Sequence, residues 1–147
     1  MGRLTAAVAA GPVALDTCVF IYFIEDHPRF AAPLAELFTA IDAGSVRAVT
    51  SELALLEVLV APLRGGDRAL AEQYEELLAR GRGLTLRPLD RALLRAAAQL
   101  RAATGVRVPD ALQLAAGLAE GCRAFLTNDR RLPHVDGMRV LQLAEQI

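Results

Sequence analysis

Apolar residues along this chain fall into two alternating rhythms: short unbroken runs and stripes at helical spacing. Val13-Ala14-Leu15 is a run that stops at Asp16, and Val46 to Thr50, Leu84-Thr85-Leu86, Ala124 to Thr127 and Arg139 to Leu143 are further runs of strand length. Between them, Phe30, Leu34, Leu37, Phe38 and Ile41 mark a helix that tolerates Pro33 in its first turn and stops at Gly44. Ser51 is a helix N-cap ahead of Leu53, Leu56 and Val60, and Pro62 is expected to end that helix. Asp67 caps an amphipathic helix carrying Leu70, Tyr74, Leu77 and Leu78, with Gly81 and Gly83 bracketing its end. A helix over Asp90 to Thr104 turns Leu93, Ala97 and Leu100 inward and stops at Gly105. The next opens at Pro109-Asp110 and runs to Gly121. Cys18 to Ile24 is apolar throughout, and pattern alone leaves it as strand or buried helix.

Strands that alternate with helices predict a three-layer α/β/α domain around a mainly parallel sheet of about five strands. Residues 13–147 are expected to form this single domain, and residues 1–12 a loose N-terminal extension. Ligands of such a sheet bind beyond the carboxyl ends of its strands.

Composition narrows the chemistry. The 147 residues are 54% hydrophobic and 22% charged, so the chain folds without needing disulfides or a structural metal. Its net charge is −1, which excludes a broad basic surface but allows a local one. All 16 basic residues are Arg, so a Walker A phosphate loop, Schiff-base catalysis and a receiver domain each lack their Lys. Cys18 and Cys122 have no metal-like spacing, and His27 and His134 stand alone. The first residues fit neither a signal peptide nor a myristoylation site, and no 20-residue apolar span suggests a membrane helix, so a cytoplasmic location is expected.

Most acids have ordinary addresses on polar helix faces or at caps; four do not. Asp16 lies between two apolar runs, and Glu57 is the only charge from Leu53 to Pro62. Asp110 opens a nearly all-apolar helix, and Asp129 follows the run ending at Thr127. Singly, each has a plain explanation: a dipole-stabilised first-turn acid, a turn residue, an ion pair. Together, they sit at two strand ends, a helix start and about 10 Å along a helix, so all four can face one cleft. Carboxylates crowded this way need a cation or raised pKa values. All-oxygen donors suit Mg²⁺ or Mn²⁺, ions of phosphate-handling sites, and the expected chemistry is hydrolysis.

These residues also carry a family resemblance. Leu15-Asp16-Thr17-Cys18-Val19-Phe20-Ile21-Tyr22, Glu57 after Val49-Thr50-Ser51, Pro109-Asp110-Ala111-Leu112-Gln113-Leu114-Ala115 and Leu126-Thr127-Asn128-Asp129-Arg130-Arg131-Leu132 resemble, in order, a PIN-domain ribonuclease, and more narrowly a VapC-type toxin of a toxin–antitoxin pair. The resemblance covers residues 13 to 143 or so. It implies a Mg²⁺- or Mn²⁺-dependent endoribonuclease that leaves 5′-phosphate ends, forms a homodimer and is silenced by a small antitoxin. By position, Asp16, Glu57, Asp110 and Asp129 match the family's acidic quartet, Thr17 and Thr127 its hydroxyl positions, and Asn128 flanks the last acid. Cys18 departs from the Asn common after Asp-Thr.

Arg130 and Arg131, directly after Asp129, are candidates for RNA phosphates, with Arg29 and Arg107 weaker ones. Tyr22 and Phe23 read as core rather than as a base-stacking platform. Two rivals stand beside the nuclease. A phosphatase with Asp16 as nucleophile lacks a second Asp two positions on; a PIN-like RNA- or protein-binding module without turnover would keep the acids without cleavage.

Overall fold

The computed structural model describes residues 1–79 and 81–147. Five parallel strands make one sheet in the order β3-β2-β1-β4-β5, with β1 at Val13–Leu15, β2 at Ala48–Ser51, β3 at Leu84–Arg87, β4 at Ala124–Thr127 and β5 at Arg139–Gln142. The strands are short and buried on both faces at the centre, which is why they read as apolar runs rather than as alternation. β1 is three residues long, and each serves a layer: Val13 and Leu15 pack into one core, Ala14 into the other.

The first core is closed by α2 (Thr17–Ile24), α3 (Ala31–Asp42), α4 (Leu53–Arg64) and α5 (Arg68–Ala79). The second lies under α6 (Arg91–Thr104) and α7 (Val108–Ala119). This is the expected three-layer arrangement. The chain runs β1 to β3 in one direction across the sheet, then returns to place β4 on the other side of β1. The order therefore reverses between β1 and β4, and the crevice beyond their carboxyl ends is where ligands of such sheets bind.

Several local expectations are refined. Cys18 to Ile24 is helix, because Asp16 caps it: its carboxylate accepts a hydrogen bond from the Thr17 N–H. Pro62 does not end α4 but lies in its last turn, where the missing N–H breaks one bond and two further residues still fit. Ser51 closes β2 while its hydroxyl accepts from Leu53 N, 3.2 Å away. The first dozen residues, expected to be loose, contain a helix, α1 (Arg3–Val8). Leu4 and Val8, one turn apart, bury in the first core, and the Gly2 N–H meets the Glu36 carboxylate of α3. A six-residue helix just before Gly11-Pro12 leaves too little periodicity to read.

One glycine sets how closely α7 approaches the sheet. A Cβ on Gly117 would stand 2.7 Å from Ala14 Cβ of β1 and 3.0 Å from Met138 Cε. With hydrogen there instead, the helix that carries Asp110 lies directly on the strand that delivers Asp16.

Candidate active site

Pairing of β1 with β4 builds the floor of the site. Leu15 is in register with Leu126, and the Asp16 N–H donates to Leu126 O at 3.0 Å, so Asp16 and Thr127 leave the sheet side by side. The Thr127 hydroxyl donates to Asp16 Oδ2 at 2.7 Å, and Thr17 N donates to Oδ1 at 2.8 Å. Both Asp16 oxygens are thus fixed by donors from two strand ends. Thr127 Oγ1 also accepts the Asp129 N–H at 3.0 Å, which bends the chain after β4 toward the cleft.

Glu57 is the fifth residue of α4, a little over one turn from its start and so about 6 Å along it rather than the roughly 10 Å expected. It accepts a 2.8 Å hydrogen bond from the Thr17 hydroxyl. Asp110 stands in the first turn of α7, where the helix dipole favours a carboxylate, with Arg107 Nε 3.4 Å away. Asp129 is gripped by Arg131, with Nε 3.0 Å from Oδ1, Nη2 3.3 Å from Oδ2 and the backbone N–H 2.9 Å from Oδ1. Asn128 donates to the Tyr22 hydroxyl at 3.3 Å.

All four carboxylates, with Thr17 and Asn128, line one cleft of about 430 Å³ at the switch point. Thr127 supports it from beneath, fully buried. The two neighbouring arginines part ways: Arg131 lines the cleft, whereas Arg130 turns to Glu145 at 3.0 Å. Arg107 and Tyr22 also reach the cleft, the latter against its reading as core. Gln113, half-way along the apolar face of α7, is a wall of the cleft that sequence reasoning passed over. Its signal was present: it is the only polar side chain from Ala111 to Ala119.

The electrostatics differ from acid to acid. Burial raises the pKa of Asp16, helped by the charges of Asp110 and Glu57 and opposed by its hydrogen bonds from Thr127 and the Thr17 backbone. Asp129 is shifted the opposite way, held ionised by the hydrogen bonds from Arg131. Cys18 lies in the cleft wall, but burial, followed by the Asp16 charge, pushes its thiol up to about 12. It stays protonated at neutral pH and offers no nucleophile.

Among the described residues, no three acidic, histidine or cysteine side chains converge tightly enough to form a ready-made cage for a cation. The donors are spread around the cleft and are all oxygens. That set suits an ion such as Mg²⁺, which keeps several waters and needs only one or two direct carboxylates.

A family model described as PIN domain matches residues 13–138. No curated protein matches the chain. Among solved structures, the fold is similar to the VapBC2 complex of Rickettsia felis bound to a DNA fragment from its promoter, with a TM-score of 0.68 at 16% identity over 89% of this chain and 98% of that one. It is also similar to a toxin–antitoxin complex from Klebsiella pneumoniae, with a TM-score of 0.63 at 16% identity over 91% of this chain and 98% of that one.

Proposed function

The chain belongs to the PIN-domain family, a family of nucleases, and from that premise we propose that it is a divalent-cation-dependent endoribonuclease acting as the toxin of a toxin–antitoxin pair. The observation that carries this reading is the convergence of Asp16, Glu57, Asp110 and Asp129, from four different elements, on one cleft at the switch point of the sheet. Crowded carboxylates repel an RNA phosphate unless a cation lies between them. Mg²⁺, with Mn²⁺ as substitute, would be held by carboxylates from this set, one or two of them directly, and would supply activation of water and charge stabilisation on the leaving oxygen. The chain itself fixes the direction of Asp16 through Thr127 and the Thr17 N–H. It sets Asn128 at the rim and offers Arg131 and Arg107 as fixed cations for the phosphates beside the scissile one. Arg130, paired with Glu145, would serve RNA only further from the cleft. Hydrolysis breaks the P–O3′ bond, with the oxygen of water joining phosphorus and a proton passing to the departing 3′ oxygen.

The test is cleavage of a mixed RNA panel by the purified protein with Mg²⁺, Mn²⁺ or EDTA. Cation-dependent cleavage that leaves 5′-phosphate ends is expected. No cleavage of any RNA, with partner proteins removed, would instead favour a binding module that keeps the acids without turnover.

An antitoxin partner is part of the proposal, supported by the two similar structures both being toxin–antitoxin complexes. So is a cytoplasmic site of action: Cys18 and Cys122 are free thiols, and no described helix is long and apolar enough to cross a membrane. A homodimer is supported by α4, where Leu56, Val60 and Leu63 project into solvent along one side at 61%, 42% and 64% exposure. An uncharged ridge can meet a copy of itself across a two-fold axis, giving a self-complementary contact. Leu63→Asp is expected to convert a dimer in sedimentation analysis to a monomer while leaving the melting temperature within a few degrees. A variant that sediments as wild type would remove α4 from the interface.

A further inference from the structure

Gln113 is 2% exposed and makes polar contacts at both ends of its amide. Its Oε1 lies 3.1 Å from the Ser51 N–H and 3.1 Å from the Thr50 hydroxyl, and its Nε2 lies 3.2 Å from Thr17 Oγ1. A backbone N–H can only donate, so the amide oxygen must face Ser51 and the NH₂ must face Thr17. Thr17 Oγ1 therefore accepts a hydrogen bond from Gln113, and its own hydroxyl proton is directed at the neighbour 2.8 Å away, Glu57 Oε1. The order of donation is fixed along the whole chain by one obligate donor at the end of β2. Four elements are tied together in this way: the end of β2, α7, the start of α2 and α4.

We propose that Gln113 is a positioning residue for Glu57, acting through the Thr17 hydroxyl: it sets the orientation in which the Glu57 carboxylate meets the cleft. Its Oε1 and one of its two amide N–H groups are held by Ser51, Thr50 and Thr17, so its route to Glu57 runs through the Thr17 hydroxyl. This rests on the reading of the cleft as a cation site. Buried polar chains of this kind rigidify when every member is satisfied, and partners that orient a ligating carboxylate typically change cation affinity by 10- to 100-fold when removed.

The experiment is Mn²⁺ binding to the full chain, read from the loss of the free aquo-ion EPR signal, with no RNA present. Gln113→Met, close in length and without the amide, is expected to weaken Mn²⁺ binding by about 10-fold. Thr17→Val is expected to do the same, and Thr17→Ser to recover most of the loss by keeping the hydroxyl. Combined with Thr17→Val, Gln113→Met is expected to add nothing, because the path to Glu57 is already cut. Effects of the two substitutions that multiply, or an unchanged affinity in Gln113→Met, would overturn the proposal. If Gln113→Met does not fold, Gln113→Glu keeps an acceptor for the Ser51 N–H and lacks only the donor. Added negative charge alone would tighten Mn²⁺, so weaker binding by Gln113→Glu supports the relay and tighter binding overturns it. A wild-type chain that binds no Mn²⁺ would overturn the cation reading of the cleft along with this one. Binding by wild type without the coupling would overturn the relay alone.

Discussion

Asp16→Asn is expected to reduce RNA cleavage on the order of 10²–10³-fold, the scale of losing one preorganised electrostatic group from an active site, while making the cation-free protein more stable at pH 7. The two effects have one cause. Asp16 is mostly buried beside the charges of Asp110 and Glu57, and its pKa is raised from the ordinary 3.8. Between 3.8 and the raised value, the folded chain binds more protons at this site than the unfolded chain does. The free energy of unfolding therefore falls as pH rises through that window, and the ionised form carries the full penalty above it. Asn has no charge to bury. It can still present Oδ1 to Thr17 N, with its NH₂ toward Thr127, whose hydroxyl can turn from donor to acceptor. Thermal melts in EDTA should show the variant above wild type at pH 7, with the gap narrowing as pH falls toward 3.8. A wild type that melts higher at pH 7 would mean that the bonds from Thr127 and Thr17 outweigh burial. Unchanged cleavage would remove Asp16 from the site.

Gly117→Val should cost about 3 kcal/mol of folding stability in urea titration, the upper end for overfilling a packed interface, and lower the activity of the folded fraction as well. Ala14 Cβ, 2.7 Å from where the new Cβ must go, is fixed to the central strand and cannot swing away as Met138 can. The only relief is for α7 to lift from β1, taking Asp110 and Gln113 with it. Displacements near 1 Å can cost on the order of 10²-fold in rate. Gly11→Ala is the comparison, because a methyl there meets nothing within 4 Å. Equal urea midpoints for the two variants would show that α7 adapts without moving.

Much of this candidate site was legible in the sequence. The four acids stood out because each interrupts an apolar segment, and a carboxylate among buried side chains needs a reason. Thr17, Thr127 and Asn128 came with them as immediate neighbours. Gln113 was harder: one amide in a buried helix has many ordinary uses, and only its distances to Ser51, Thr17 and, through Thr17, Glu57 give it a role. Arg130 and Arg131 are equivalent in sequence. Their different partners, Glu145 and Asp129, come from a 3₁₀ turn after β5 and from the bend after β4.

The sequence by itself determined the layers, because apolar spacing dictates which side of each segment is buried, and alternation of strands with helices leaves few ways to bury them. It also determined which acids were out of place, since that depends only on near neighbours along the chain. Tertiary structure alone decided that Asp16 and Thr127, 111 residues apart, share a hydrogen bond. That contact depends on β4 pairing with β1 in the register Leu15 to Leu126. The lateral order of parallel strands depends on how the crossover helices pack on the two faces, and Gly117 sets how closely α7 approaches β1. Such packing is non-local, and no short window of residues records it.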